Sequence, residues 1–145
     1  MSDAELMRQR MRALLWDTVD YYETTKVFGF NPQLDVCDYY DPETGAKCAV
    51  GRIMKNPENF VELEFSIPAQ DRNLDDEEQA KLDEILSDIV DDYKNLPQDF
   101  LMFLQVVHDT WAESRSIDQD GNYLTDYQFP VIEYQQLINY IEGYK

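Results

Sequence analysis

The side chains best suited to catalysis or metal binding in this sequence are Cys37, Cys48 and His108, with Asp109 beside the histidine. Two thiolates, one imidazole and one carboxylate could together bind zinc, which takes about four such ligands. A thiol beside an imidazole could instead act as a nucleophile. However, ten residues separate the two cysteines, where a zinc motif usually has about two to four, and the flanking sequence places neither thiol at a helix N-terminus. Buried thiols and a hydrogen-bonded core histidine are the favoured interpretation, and a metal- or cysteine-dependent enzyme centred on these residues stays open as the alternative.

A second polar cluster lies in residues 116–127, between two predicted helices. Asp118, Asp120 and Gly121 match the third, fifth and sixth positions of a calcium-binding loop. In that frame Ser116 would be a poor first ligand, and Tyr127 stands where the bidentate glutamate belongs. The segment therefore favours an ordinary Asp/Gly/Asn turn over a calcium site.

The charge of the chain carries a stronger signal than either cluster. The sequence has 30 acidic and 12 basic residues in 145, a formal net charge of −18. Residues 71–94 alone contain ten acids and three bases, a net charge of −7. Such a surface repels nucleic acid and anionic membranes and attracts basic protein surfaces. We therefore expect a protein partner with a basic surface, with no direct binding to nucleic acid or membrane.

The acids of this segment are predicted to follow one face of a helix. Acids on neighbouring turns of a helix lie about 5–6 Å apart, which is comparable to the separation of phosphates along a nucleic-acid strand. Such a face could imitate DNA in a basic groove, or it could simply be solvated. The candidate partner-binding residues are Asp76, Glu77, Asp83, Glu84, Asp88, Asp91, Asp92 and Tyr93.

The ten tyrosines of the chain are more than a core needs, since each buried hydroxyl requires a hydrogen-bond partner. Exposed tyrosines mixed with acids are typical of a protein-binding surface. A surface of this kind is also compatible with a homodimer, or with a structural component that self-associates.

Apolar spacing predicts four helices within a single domain that spans residues 1–145. They cover residues 3–22, 75–95, 98–113 and 130–143, and the third is apolar around most of its circumference. The helix at 98–113 should therefore be the central buried one.

Two segments predict a small antiparallel sheet beneath these helices. Residues 37–50 read as a hairpin, because Asp41, Pro42 and Gly45 suit a tight turn in which Asp41 pairs with Ala46. Residues 59–67 alternate apolar and polar side chains and read as a third strand. The predicted fold is thus α+β, with about four helices packed on a small sheet.

The motif Cys37-x-Tyr39…Gly45-x-Lys47-Cys48-Ala49-Val50-Gly51, followed by Leu104-Gln105-x-x-His108-Asp109, resembles a family of small uncharacterised proteins from phage and bacterial genomes. The matching segments cover about a fifth of the chain, and the Cys-Leu-Ile-Pro that usually follows in the family is Arg52-Ile53-Met54-Lys55 here. The resemblance implies a phage or mobile-element setting and a shared scaffold. On that scaffold Gly51 would permit a tight turn, and His108 would hydrogen-bond back to the hairpin.

Together these observations predict a small acidic, non-enzymatic phage-type protein without a cofactor. We expect it to bind and inhibit or modulate a host protein, such as a nucleic-acid-acting defence factor. The sequence offers no apolar stretch of the roughly 20 residues that a membrane span needs, and its first residues lack the features of a signal peptide. The expected location is the cytoplasm, that of the host cell if the protein is phage-encoded.

Overall fold

The computed structural model describes residues 2–31, 36–61 and 63–145. Four α-helices dominate this part of the chain: α1 (Asp3–Thr25), α2 (Asp76–Ser87), α3 (Gln98–Glu113) and α4 (Val131–Gly143). Short 3₁₀ turns cover Gly51–Ile53, Pro57–Phe60 and Asp91–Tyr93. Two strands of two residues each, β1 (Phe30–Asn31) and β2 (Val36–Cys37), pair antiparallel with Phe30 opposite Cys37.

Helix α1 begins where its sequence predicts and continues to Thr25, beyond the predicted end at residue 22. The Ser2 hydroxyl accepts a hydrogen bond from the Glu5 N–H at 3.1 Å, which caps the first turn. At the other end Lys26 adopts a left-handed conformation, with φ of 53°, and its N–H bonds to the Tyr22 carbonyl. The predicted apolar stripe is confirmed, since α1 buries Met11, Leu14, Leu15, Thr18 and Tyr22.

Helix α3 contributes the largest group of buried residues to the core, as predicted, but it buries one broad face and not most of its circumference, since Val106 is 39% exposed. Its closest packing among the helices is with α4. From α4, Leu137 and Ile141 are fully buried against the same cluster. The buried part of α3 consists of Phe100, Leu101, Leu104, Gln105, Val107, His108, Trp111 and Ala112.

The prediction of an α+β fold with a sheet from residues 37–50 and 59–67 is wrong. The turn itself forms, because Asp41 and Ala46 pair at 2.9 Å and Gly45 has φ of 76°. Beyond the turn, Cys37 pairs with Phe30 and not with the second strand of the predicted hairpin. Residues 48–53 leave the hairpin and enter a 3₁₀ turn, so the described part of the chain has only the two-residue strand pair.

The segment predicted as a strand at 59–67 forms no ladder in the residues that the structure describes. Its alternation is satisfied in another way, because Phe65 and Ile67 are buried while Glu64 and Ser66 face solvent. The Tyr39 hydroxyl donates to the Phe65 carbonyl at 2.6 Å, and just after the segment the Gln98 amide donates to the Pro68 carbonyl at 2.8 Å. Residue 62 lies outside the described residues.

Candidate functional site

The acidic segment is built on helix α2, which has a well-defined start. Asp75 and Glu78 form a capping box, in which each side chain accepts from the backbone N–H of the other. Leu82 and Ile85 then bury one side of the helix in the core. This anchoring directs the remaining positions of α2 outward, and most of these are acidic.

Helix α2 is shorter than the predicted helix at 75–95, and it ends at Ser87. The chain then pairs with the segment after the first 3₁₀ turn, since the Val90 N–H donates to the Ile53 carbonyl at 2.8 Å and the Lys55 N–H donates to Asp88 at 2.7 Å. Asp91 and Asp92 therefore lie on a separate 3₁₀ turn. The single row of acids along one helix that the sequence predicts is interrupted after Ser87.

Six of the predicted partner-binding residues carry exposed carboxylates, and we call them the acidic face. The Glu77 side chain is 81% exposed and faces Lys81, and the Asp91 side chain is 86% exposed and faces Lys55, each at 3.5 Å. Exposed pairs of this kind are weak and can be replaced by charges on a partner. The acidic face consists of Asp76, Glu77, Asp83, Glu84, Asp91 and Asp92.

Two further predicted residues have structural tasks. The Asp88 carboxylate accepts from the Asn56 backbone N–H at 2.8 Å and from its side-chain amide at 3.2 Å, so it fixes the chain after the first 3₁₀ turn. Tyr93 is half-buried against the core. With Leu86, Ile89 and Leu96 it lines a cavity of about 440 Å³ at the surface. Ser87, Lys94 and Asn95 also line it, and Asp91 and Asp92 of the acidic face directly precede Tyr93 in the chain.

Tyrosine contributes little to the exposed surface, contrary to the prediction. Tyr22 and Tyr39 are buried, and seven others are half-buried. Tyr123 is the exposed one, at 46%. The tyrosine rings mostly pack on the core and on each other, as Tyr22 does with Phe28 at 5.0 Å between ring centroids.

The second candidate site brings together the two motifs that carry the family resemblance. Gln105, on α3, accepts a hydrogen bond from the Val50 N–H at 3.2 Å and donates to Asp109 at 2.7 Å. The Gly51 N–H lies 3.3 Å from the Cys48 sulfur. A Cβ on Gly51 would come within 2.2 Å of the Tyr39 carbonyl oxygen, so only glycine fits the close approach of these backbone segments.

Among the described residues, His108 makes no hydrogen bond to the hairpin, contrary to the expectation. Its Nδ1 lies 2.7 Å from the Asp109 carboxylate, and Gln105 takes the role predicted for it. The imidazole packs between the rings of Tyr22 and Phe28, at 4.9 and 5.5 Å. It is a core histidine with one hydrogen-bonded nitrogen, while its Nε2 has no partner in the described part of the chain.

Burial also governs the chemistry open to this cluster. Cys48 is fully buried and His108 is 1% exposed, so a substrate cannot reach either group without rearrangement of the core. Within residues 2–31, 36–61 and 63–145, no three His, Cys, Asp or Glu side chains are grouped as metal ligands. The side chain of Cys37 lies outside the described part of the structure.

The sequence analysis missed Tyr22 as the link between these motifs. Its hydroxyl donates to the Lys47 carbonyl at 2.5 Å, which ties α1 to the residue before Cys48. Burial raises the pKa of Tyr22 well above its usual value, and the negative charge that Cys48 would carry as a thiolate adds to the effect. The apolar stripe of α1 identifies Tyr22 as buried, but the partner of its hydroxyl depends on the tertiary fold.

The segment at 116–127 is the turn that the sequence favours. The Asp118 carboxylate accepts from the backbone N–H groups of Asp120 and Asn122, both at 2.9 Å, and Gly121 has φ of 84°. Ser116 donates to Asp126 through its N–H and its hydroxyl, at 2.7 and 2.6 Å. These bonds lower the pKa of Asp126 below its usual value, mainly through the Ser116 hydroxyl.

Comparison of the chain with protein-family models, curated proteins and solved structures gives no match. Among the described residues, no helix has the length and apolar character required to cross a bilayer.

Proposed function

We propose that this chain is a non-catalytic protein that uses its acidic face to bind a basic surface on a host protein, whose activity it inhibits or modulates. The observation that carries the proposal is the exposure of six carboxylates on α2 and on the 3₁₀ turn after it, where Asp91 and Asp92 directly precede Tyr93 of the cavity lining. Protein interfaces commonly combine an apolar centre with a polar rim. A basic partner could insert one apolar side chain into the cavity while its cations meet the surrounding carboxylates.

Electrostatics support this choice of partner. The net charge of −18 accelerates encounter with a positive surface, and the local charge of −7 in residues 71–94 orients it. The basic groove of a nucleic-acid-acting defence factor has the required sign. The interrupted helix favours charge matching over a regular imitation of the phosphate spacing, since Asp91 and Asp92 do not continue the α2 face.

The proposed phage origin rests on the resemblance of the Cys48 and His108 motifs to the family of small phage and bacterial proteins. The host-cell cytoplasm as the proposed site of action rests on the same resemblance. The enzyme centred on Cys37, Cys48 and His108 receives no support from the geometry, because the described groups are enclosed in the core.

Affinity capture from host lysate at about 50 and 300 mM salt, with and without competing duplex DNA, tests the proposal. We expect a specific protein at low salt, with at least roughly tenfold less at high salt because charge-driven association is screened. Release by DNA would identify a nucleic-acid-binding groove as the bound surface. A captured protein with an acidic surface, or capture independent of salt, would contradict the electrostatic mechanism.

A further inference from the structure

Arg115 differs from the other five arginines of the chain in having no hydrogen bond or ion pair within the described residues. Arg12, Arg52 and Arg72 bind carboxylates, while Arg8 and Arg10 bind backbone carbonyls. In a chain with 30 acidic residues, an arginine that binds none of the acids that the structure describes is unexpected. A guanidinium has five N–H donors in its plane, so Arg115 retains its capacity to bind an anion.

Aromatic rings hold the Arg115 guanidinium in place. Its central carbon lies 4.2 Å from the ring centroid of Tyr123 and 5.4 Å from that of Tyr127. Contact with ring faces leaves the in-plane N–H groups open, which is the geometry that suits bidentate binding of a carboxylate. The half-buried position of Arg115 limits competition from water.

The Arg115 side chain lines a cavity of about 220 Å³. Phe28 also lines this cavity and packs against Tyr127 with ring centroids 4.8 Å apart. Phe30, Ala112 and Ile117 complete the apolar lining, and Glu113 is the acidic residue at the cavity. A cavity of about 150 Å³ can hold benzene, so this volume accommodates one aromatic ring with a short side chain.

From this geometry we propose that the cavity is a binding site for a small aromatic carboxylate. The ring of the ligand would lie against Phe28, Phe30 and Ile117, and its carboxylate would accept two hydrogen bonds from Arg115. This site shares no residue with the acidic face, so it is independent of the proposed function.

The test is an NMR titration of the whole protein with 3-phenylpropionate and with its neutral amide, 3-phenylpropanamide, at about 0.15 M salt, where distant charges are screened. We expect the carboxylate to shift the amide signals of residues 112–127 and to bind about tenfold or more tightly than the amide, as a charge-assisted hydrogen bond predicts. Equal affinity for the two compounds, or no shift with either at about 10 mM, would overturn the proposal.

Two variants assign the effect to Arg115. Arg115→Gln should reduce carboxylate affinity to that of the amide, whereas the control Arg72→Gln, which breaks an ion pair outside this cavity, should leave it unchanged. If Arg115→Gln fails to fold, the comparison of the carboxylate with the amide on the wild-type protein still tests the proposal. A peptide that ends in phenylalanine should bind no better than 3-phenylpropionate; tenfold tighter binding would contradict a free small molecule as the ligand.

Discussion

Replacement of Gln105 by leucine should destabilise the protein by about 3 kcal/mol. The substitution nearly preserves volume but removes the acceptor of the Val50 N–H, which is buried with the rest of its segment. An unsatisfied buried N–H costs about 1–3 kcal/mol, and loss of the hydrogen bond to the Asp109 carboxylate adds roughly 1 kcal/mol in this half-buried position. For a domain of this size, about 3 kcal/mol lowers Tm by about 10 °C.

Gln135→Leu is the matched control. Gln135 also lies on a helix and also donates to a side chain four residues later, Asn139, at 3.0 Å. It is exposed, however, so water replaces the lost partner and the change should stay within about 0.5 kcal/mol.

Chemical denaturation followed by far-UV circular dichroism measures both free energies of unfolding. If the free energies of unfolding of Gln105→Leu and Gln135→Leu differ by less than about 0.5 kcal/mol, the view that Gln105 joins the two motifs is refuted. Equal m-values for the two variants would establish that the difference arises in stability.

Three further changes test other parts of the structure. Gly51→Ala should lower the free energy of unfolding by about 2 kcal/mol or more in chemical denaturation, because the added Cβ would lie 2.2 Å from the Tyr39 carbonyl oxygen. The control Gly143→Ala should be neutral, since its Cβ would meet no other side chain or distant backbone within 4 Å. Equal stabilities of the two variants would disprove the close approach at Gly51. Ser116→Ala should raise the pKa of Asp126 toward its ordinary value of 3.8 in a carboxyl NMR titration, because the bonds from Ser116 lower that pKa. The stability that these bonds contribute is present above pH 3.8 and is lost as the pH falls through the native pKa. An unchanged titration of Asp126 would contradict a role for the Ser116 bonds. An increase in salt to about 0.3 M should raise Tm in a thermal melt by screening the net charge of −18, and a fall would show that self-repulsion does not limit stability.

Local signals were sufficient to predict the bounds of three of the four helices. Helices α1, α3 and α4 follow from apolar spacing with suitable terminal residues, and their bounds lie within about three residues of prediction. The spacing of Ile89, Val90 and Tyr93 continues the α2 pattern, but Asp88 binds Asn56, and backbone pairing with Ile53 draws the chain out of the helix. Such contacts between distant segments leave no local mark in the sequence.

The prediction of a sheet was wrong for a related reason. Alternation at residues 63–67 correctly predicts which side chains are buried, but a strand also needs a neighbouring backbone. Here the Phe65 carbonyl accepts from the Tyr39 hydroxyl, and the Pro68 carbonyl just beyond the segment accepts from the Gln98 amide. The extended turn at 41–46 was predictable because Pro42 and Gly45 set its dihedral angles locally.

The candidate sites divide in the same way. Composition located the acidic face, since an acidic segment with a short apolar stripe must place its charges in solvent. The resemblance indicated that the Cys48 and His108 motifs belong together, but the atom that joins them is on Gln105. The Arg115 cavity combines residues from 28–30 and 112–127, and only the fold brings these together.

The most direct test of the acidic face compares two variants that lose the same charge. One carries Glu77→Gln, Asp83→Asn, Glu84→Gln and Asp92→Asn, and the control carries Asp20→Asn, Glu43→Gln, Glu58→Gln and Asp120→Asn, all at exposed positions. The measurement is the Kd of each for the protein captured from host lysate, with folding checked by circular dichroism. We expect the face variant to bind at least about tenfold more weakly than the control, which should stay within about threefold of wild type. Equal affinities for the two variants would contradict binding through this face.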